Sequence, residues 1–451
     1  MHVDFNHEQR QLADALRRWI GRDYTFETRR AIVHGGSGVS APAWATMAEL
    51  GLMALPVPQE HGGFGGNAFD MLGVMQELGR GLVVEPYVAT MLGAEFLRIG
   101  GGHGALLERV AAGTCKLACA LGERQSRHDL FDIAMQAQAT DGGYRLSGEK
   151  KVVSHGAEAD VLIVSARSGG GQSAMTGVSL FAVPANAAGV RITGYRTPDG
   201  LRAADVVFDG VVAPHAALIG GAGEGGAILD AALDYGATLL CAEALGAMQA
   251  LFDATLDYLK TRQQFGAPIG KFQALQHRMA DMAIHLEQAR SMALLAALTL
   301  ARADDEGVSP GGAGPSGASV SVGAGTDADA GAEADADAET EADADADADA
   351  AAGTNADPAA GADGVGVSDA ARAADAVATR RRIVSAAKYR VGQAARFIGQ
   401  GAIQLHGGMG VTDELPVSHY FKRLAMIELM LGDSDHHLER FIAQAGFKEG
   451  A

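Results

Sequence analysis

The stretch YLKTRQQFGAPIGKFQALQ, residues 258–276, connects two long segments in which apolar residues recur at helical spacing. Gly266 and Pro268 interrupt the first segment, and Gly270 precedes the second. We therefore predict two long helices that meet at a compact turn, with Arg262 near the C-terminus of the first helix. The periodic apolar residues are Leu239, Leu240, Leu245, Met248, Leu251, Leu256 and Leu259 before the turn, and Leu275, Met279, Met282, Ile284 and Leu286 after it.

Arg262 and the exposed backbone N–H groups of this turn could bind an anion. A guanidinium offers a planar fork of donors to phosphate oxygens, and the start of a helix adds partial positive charge. An Arg in the last helical turn is also favourable without any ligand, because it interacts with the helix dipole. The residues alone leave both interpretations open.

Two long segments of the C-terminal half resemble segments of a known protein family. They read RQQFGAPIGKFQALQHRMADM, which begins at Arg262, and QLHGGMGVTDELPVSHYFKR, residues 404–423. Both resemble signature segments of the acyl-CoA dehydrogenase family. ELGLMALPVPQEHGGFGG, residues 49–66, and ADVVFDGVVAP, residues 204–214, are similar to two further segments of that family. The resemblance extends over nearly the whole chain, with one interruption.

The periodicities and the resemblance together predict an α+β fold with three domains. Residues 1–113 read as an N-terminal helical domain, and short β-like runs within 114–218 predict a middle β barrel or sandwich. Helical periodicity returns in 219–302 and again in 367–451, which we predict to form the two parts of a C-terminal helical bundle.

An acidic insert, 303–366, separates the two parts of this bundle. Residues 304–363 hold sixteen acidic residues and no basic ones, so that the net charge of −19 falls to −3 when they are left out. The segment is rich in Gly and Ser and then alternates Asp with Ala, and it lacks the apolar area that folding requires. We predict a disordered, solvated tether that binds neither metal nor nucleic acid.

Composition also bounds the location of the protein. No apolar run reaches the roughly 18 residues of a membrane helix, and the N-terminus lacks a signal-peptide pattern, so we expect a cytoplasmic protein without membrane contact. The three cysteines, Cys115, Cys119 and Cys241, lie in apolar runs without CxxC spacing. They are expected to be reduced, buried thiols and not metal ligands.

The resemblance implies FAD as cofactor, an acyl-CoA substrate and an electron-transfer protein as acceptor. It also implies oligomerisation, because part of the flavin dinucleotide is bound by a neighbouring subunit. The residues that match the family's cofactor contacts are Arg262, Gln264 and Phe265 in the first segment, Gln404, Gly407 and Gly408 in the second, and Ser154 in the β domain. A helix stop at the two glycines remains an alternative for the second segment.

The β domain departs from the family pattern. Val152 stands where the family has a Trp two positions before the hydroxyl of Ser154, and LGERQSRHDL, residues 121–130, replaces the usual Thr-Glu-Pro-Gly-Ala-Gly-Ser segment. Ser154 is therefore either a flavin contact or a structural serine that bonds backbone at a strand end.

The catalytic base is a second departure. The family's two base positions correspond to Leu431 and Gly236, neither of which can accept a proton. Glu243, flanked by apolar residues on the helix before Arg262, is the predicted base because burial raises a carboxyl pKa. The alternative is a structural Glu243 that pairs with an Arg inside the bundle. Asp433 is a further acid nearby.

Two functions follow from the resemblance. The first is a flavin-dependent acyl-CoA dehydrogenase, with pimeloyl-CoA or another dicarboxylyl-CoA as the implied substrate. The second is a catalytically silent small subunit that completes the FAD site of a large dehydrogenase subunit. The apolar residues at both base positions favour the second, whereas Glu243 favours the first.

Overall fold

The computed structural model describes residues 5–305 and 369–444. Helices form both ends of the described chain and a β domain lies between them, so the predicted α+β fold is confirmed. Most of the predicted insert lies outside the described residues. Its first three positions do not, because the helix before it continues to Asp305.

Six α-helices form the N-terminal part of the described chain, and several of their ends carry local capping signals. Asn6 accepts a hydrogen bond from the backbone N–H of Gln9, and the Gln9 side chain accepts one from the backbone of Asn6. Asn67 caps a later helix in the same way. The helices are α1 (His7–Asp23), α2 (Phe26–His34), α3 (Ala41–Glu49), α4 (Ala68–Arg80), α5 (Tyr87–Gly100) and α6 (Gly104–Ala111).

The middle domain is one hydrogen-bonded sheet that branches. Its order is β6-β7-β3-β2-β4-β5-β8, and β1 pairs in parallel with β4 off this path. The long antiparallel pair of β3 and β7 forms its middle, and β4 is buried along its whole length. The strands are β1 (Leu117–Ala120), β2 (Gln136–Thr140), β3 (Gly143–Ser154), β4 (Val161–Arg167), β5 (Val178–Pro184), β6 (Val190–Arg196), β7 (Arg202–Pro214) and β8 (Leu218–Ile219).

Long helices build the C-terminal bundle. They are α7 (Gly225–Thr261), α8 (Gln273–Asp305), α9 (Asp369–His406), α10 (Pro416–Leu429) and α11 (Ser434–Ile442). The predicted turn joins α7 to α8 and contains a two-residue hairpin between β9 (Gln263–Gln264) and β10 (Ala267–Pro268). The glycine segment after α9 forms a short 3-10 helix, Gly407–Val411.

Helix α7 is the central helix of the molecule. By length and composition it is the one described helix that could cross a membrane, but 67% of its most apolar window is buried against other parts of the protein. That degree of burial is typical of a core helix. It packs against α4 and α5 of the N-terminal part and against α8, α9 and α10 of the bundle.

A close crossing of α4 and α7 fixes the position of Glu243. A Cβ added to Gly246 would lie 1.8 Å from the carbonyl oxygen of Gln76, and one added to Gly79 would lie 2.0 Å from the carbonyl oxygen of Glu243. Only glycine permits backbones to approach this closely. The crossing therefore holds the backbone of Glu243 at a fixed place on the helix surface.

Candidate active site

A cavity of about 370 Å³ lies between the β domain and the helices. This volume lies within the range of small-ligand sites. One wall is helical and apolar, and it comprises Met75, Leu78, Val88, Leu92 and Leu240. The facing wall belongs to the β domain and is polar, with Lys151, Ser154, His155 and Arg202. A third side of the cavity is formed by residues from 426–432, which comprise the last turn of α10 and the three residues that follow it.

Glu243 reaches this cavity and is held there by Arg423. Arg423 donates from Nε to Oε1 of Glu243 at 2.6 Å and from Nη2 to Oε2 at 2.8 Å. Its Nη1 donates to Oδ2 of Asp199 at 2.9 Å. All three side chains are buried. Such a bidentate pair satisfies both oxygens of the Glu243 carboxylate.

The electrostatics of this cluster keep the arginine charged. Burial alone would lower the pKa of Arg423, but the carboxylates of Glu243 and Asp199 raise it above its ordinary value. The structure thus contains the Arg partner that the structural alternative for Glu243 requires. The assignment of Glu243 as base remains a prediction. In that role its carboxylate would have to accept the substrate proton while Arg423 bonds to both of its oxygens.

The two base positions of the family meet at one point in the described structure. A Cβ added to Gly236 would lie 2.8 Å from Cδ1 of Leu431. Leu431 has a φ of 55°, which is costly for a branched side chain, and it lines the cavity. Hydrocarbon therefore occupies the place where either position would direct a carboxylate.

The other carboxylates that line the cavity among the described residues also have protein donors. Glu85 accepts from Oη of Tyr24 at 2.7 Å, and burial raises its pKa. Glu123, in the divergent segment 121–130, accepts from Nζ of Lys150 at 2.8 Å. That ammonium is fully buried, and burial lowers its pKa to about 8. Both carboxylates thus serve the structure.

Ser154 lies at the end of β3, after a bulge. The pairing of β3 with β7 shifts register between Lys150 and Val153, and Val152 has a φ of 52°. Bulges commonly redirect side chains beside functional sites. The Ser154 hydroxyl lines the cavity and makes no hydrogen bond to any residue that the structure describes. It is available to a ligand.

His155 was missed by the sequence analysis. Its side chain is 3% exposed and lines the cavity, and neither ring nitrogen has a hydrogen-bond partner among the described residues. Burial and, to a smaller extent, the positive charge of Arg423 lower the pKa of His155 to about 4. The only sequence signal was its place directly after Ser154.

The predicted Arg262 turn is open to solvent. Arg262 is the C-cap residue of α7, and its guanidinium makes no side-chain bond to the described residues. Phe265 and Gly266 form the hairpin tip with φ angles of 55° and 76°, the conformation that a two-residue primed turn requires. Phe265 is 91% exposed, which is exceptional for a large aromatic side chain.

The second predicted segment lies beside this turn. The ring of Tyr258, in the last turns of α7, stacks on the ring of His406 at a centroid distance of 4.3 Å. His406 lies between exposed Gln404 and exposed Gly407, which has a φ of 58°. This conformation also suits a helix stop, so the geometry allows both interpretations of the glycines.

Six of the seven predicted cofactor residues thus lie at one end of the bundle, and Ser154 lies elsewhere. Glu243 lines the cavity, whereas Arg262 follows it by nineteen residues along α7. That separation corresponds to about 28 Å of helix. An exposed Arg with nearby backbone donors fits a phosphate, and the open Ser154 hydroxyl fits a flavin ring. In the described chain, the exposed Arg262 and the open Ser154 hydroxyl therefore lie at two separate locations.

Sequence comparisons match each domain of the fold. Models of the acyl-CoA dehydrogenase N-terminal, middle and C-terminal domains match residues 6–103, 118–211, and 223–316 with 365–446. A probable acyl-CoA dehydrogenase of Bacillus subtilis (strain 168), YngJ, is 34% identical over 260 residues, which cover 56% of this chain and 68% of the relative.

Structural comparisons agree. The FAD complex of PigA has a TM-score of 0.77 at 21% identity, covering 99% of this chain and 100% of that one. A chain of the ChsE4-ChsE5 complex from Mycobacterium tuberculosis has a TM-score of 0.73 at 21% identity, covering 98% and 97%. With all three domains matched in order, the chain belongs to the flavin-dependent acyl-CoA dehydrogenase family.

Proposed function

We propose that the chain is a subunit of an acyl-CoA dehydrogenase that oxidises a thioester between its α and β carbons. The observation that carries this proposal is the cavity, in which an apolar helical wall faces a polar β wall. Met75, Leu92 and Leu240 suit an acyl chain and exclude water from it. FAD, when bound, supplies the hydride acceptor. A dicarboxylyl-CoA such as pimeloyl-CoA is the proposed substrate, on the basis of the sequence resemblance.

The proposed assembly closes each flavin site from two chains. Ser154 lines the cavity of one chain, while Arg262, Gln264, Phe265, Gln404, Gly407 and Gly408 contact the dinucleotide bound mainly to its neighbour. The helical separation of about 28 Å along α7 supports this division. Electrons leave through an electron-transfer protein. Three free thiols suit a reducing compartment, in keeping with a cytoplasmic location.

The source of the base separates two forms of this function. In the first, Glu243 removes the α proton of the substrate. In the second, this chain is the small subunit of a heteromer and a large subunit carries the base. The bidentate Arg423 pair and the hydrocarbon at Leu431 favour the second form. The structural likeness to a chain of the ChsE4-ChsE5 complex is consistent with such a heteromer.

Bleaching of bound FAD by acyl-CoA distinguishes the two forms. If Glu243 is the base, Glu243→Gln lowers the rate of flavin bleaching by about 100- to 10,000-fold and leaves bound FAD in place. If Glu243 is structural, the variant instead loses stability and flavin together. Unchanged bleaching in Glu243→Gln removes Glu243 from the mechanism, and Asp433→Asn is then the next substitution to test; Asp433 also caps α11 by accepting from the backbone N–H of His436.

The assembly itself is tested by isolation from the native host. A heteromer predicts that a second, larger dehydrogenase chain co-purifies with this one in equal amounts. A chain that is isolated only with itself, and that bleaches its FAD with acyl-CoA in that form, contradicts the silent-subunit form. A colourless, folded preparation that takes up no FAD with or without its partner contradicts the proposed function altogether.

A further inference from the structure

His155 is a buried polar group for which the fold provides no partner. At 3% exposure it is cut off from bulk water, and neither Nδ1 nor Nε2 has a hydrogen bond within the described chain. An unsatisfied buried polar group is costly, so its retention in a core position requires an explanation. The side chain lines the cavity, which offers the explanation that a ligand completes it.

The neighbours of His155 are charged but do not satisfy it. Oε2 of Glu158 lies 3.8 Å from Nδ1, beyond hydrogen-bond distance, and is itself without a partner. Arg423 and Asp199 face the ring from α10 and from the loop before β7, but they bond to each other. Arg202 donates to the carbonyl oxygens of residues 35 and 36. None of these groups occupies the hydrogen-bonding positions of the imidazole.

The chemistry of the wall restricts the ligand. A neutral imidazole carries one donor and one acceptor, and the adjacent Ser154 hydroxyl can serve as either. The acyl part of a thioester substrate offers a single carbonyl oxygen, and its hydrocarbon suits the opposite wall. A flavin ring offers an edge on which carbonyl oxygens flank a ring N–H. Of the two ligands, the flavin therefore matches two adjacent polar side chains.

We propose that His155 is a flavin-binding residue whose imidazole hydrogen-bonds the polar edge of the flavin ring in this chain's own cavity. The inference rests on the proposed function, since it requires that FAD binds here. The proposal adds His155 to the residues that contact the flavin. It places an imidazole directly after the Ser154 hydroxyl on the β-domain wall of the cavity. It also makes this chain a holder of the flavin ring in addition to a contributor of dinucleotide contacts.

Two substitutions at this position test the proposal on the full chain. His155→Phe preserves a planar ring and removes both nitrogens, whereas His155→Asn keeps one donor and one acceptor. We expect the Phe variant to bind FAD about tenfold more weakly, the effect of one lost hydrogen bond, and to shift the absorbance band of the bound flavin. The Asn variant should bind within about threefold of the original protein. His215→Phe, at an exposed position of the same domain, is the matched control.

Ring-nitrogen NMR of the unsubstituted protein tests the proposal without a variant. Addition of FAD should move the ¹⁵N shifts of one imidazole, identified as His155 by its loss in the Asn variant. A Phe variant that binds FAD with unchanged affinity and spectrum, or a His155 signal that FAD does not move, overturns the inference. Failure of the unsubstituted protein to bind FAD overturns the proposed function first, and the two failures are thereby distinguished.

Discussion

The cavity and the Arg262 turn differ in how their polar groups are satisfied. In the cavity, Arg423, Glu243 and Asp199 are buried and bonded to one another. At the turn, Arg262 and Gln264 are exposed and their side chains make no bond to the described chain. Both regions carry an arginine that sequence inspection could assign to a ligand. The comparison indicates that Arg423 stabilises the fold, whereas Arg262 is free to bind.

The largest expected effect comes from removing the buried arginine. Arg423→Met leaves the carboxylates of Glu243 and Asp199 buried without their partner, so the free energy of unfolding should fall by about 3–5 kcal/mol. Urea unfolding followed by circular dichroism measures this change. Arg262→Met is the matched control and should alter the free energy of unfolding by less than about 0.5 kcal/mol. Equal losses in the two variants would remove the distinction between the regions.

Acid should lower the free energy of unfolding through His155, which lines the cavity. The pKa of His155 is about 4 in the folded protein, below its value of about 6.5 in an unfolded chain. The unfolded state therefore takes up the proton first as the pH falls. The contribution of neutral His155 to the free energy of unfolding is fully present above pH 6.5. It is lost between pH 6.5 and 4, by up to about 3 kcal/mol.

The measurement is urea unfolding at pH 7, 5.5 and 4.5, compared between the original protein and His155→Asn. The variant should lose less stability over that interval. His437, whose pKa burial lowers to about 2, keeps the same acid response in both proteins and cancels in the difference. Parallel curves for the two proteins would show that His155 does not titrate as described.

At the open end, Arg262→Met should act on cofactor affinity and not on the fold. Loss of a charge-assisted hydrogen bond to phosphate costs about 1.5–3 kcal/mol, or roughly a 10- to 100-fold weaker Kd for FAD. Isothermal titration with FAD, in the oligomer, measures it. Arg290→Met is a control on α8, since Arg290 bonds to Gln249 and Glu287. Unchanged FAD affinity would return Arg262 to a capping role.

The smallest effect is expected between the two long helices of the bundle. Replacement of residues 306–363 by ten Gly/Ser residues keeps Asp304, which pairs with Arg98 at 3.1 Å. Because closure entropy grows only with the logarithm of loop length, the shorter connection should stabilise the protein by no more than about 1.5 kcal/mol. Thermal unfolding and flavin content measure the result. Loss of folded protein would contradict the tether prediction.

Local patterns predicted the elements, but not the pairings across the core. The helix before the turn ends at Thr261 and Arg262 caps it, as the glycines and proline predicted. The Glu243–Arg423 pair joins residues 180 positions apart, and no periodicity contains such information. The sequence did leave an Arg-paired Glu243 open as an alternative, since a buried carboxylate needs a partner.

His155 was beyond prediction for a related reason. Its significance is the lack of a partner, and that property depends on every neighbouring element at once. The resemblance located Ser154 but implied nothing for the next position. By contrast, the contact between the Arg262 and Gly407 segments follows from the stacking of Tyr258, four residues before the first signature, on His406 in the second. Tertiary packing supplied the information in both cases.

The two-residue hairpin at Phe265 affects the conformational entropy that is lost on association. Its tip is held by paired backbone between β9 and β10, so the backbone of Phe265 presents the exposed side chain at one place before any ligand or subunit arrives. Little conformational entropy then remains to be lost on association. Insertion of two glycines after Phe265 would leave every contact group present and still weaken binding, because the backbone of the tip would have to be ordered at each encounter.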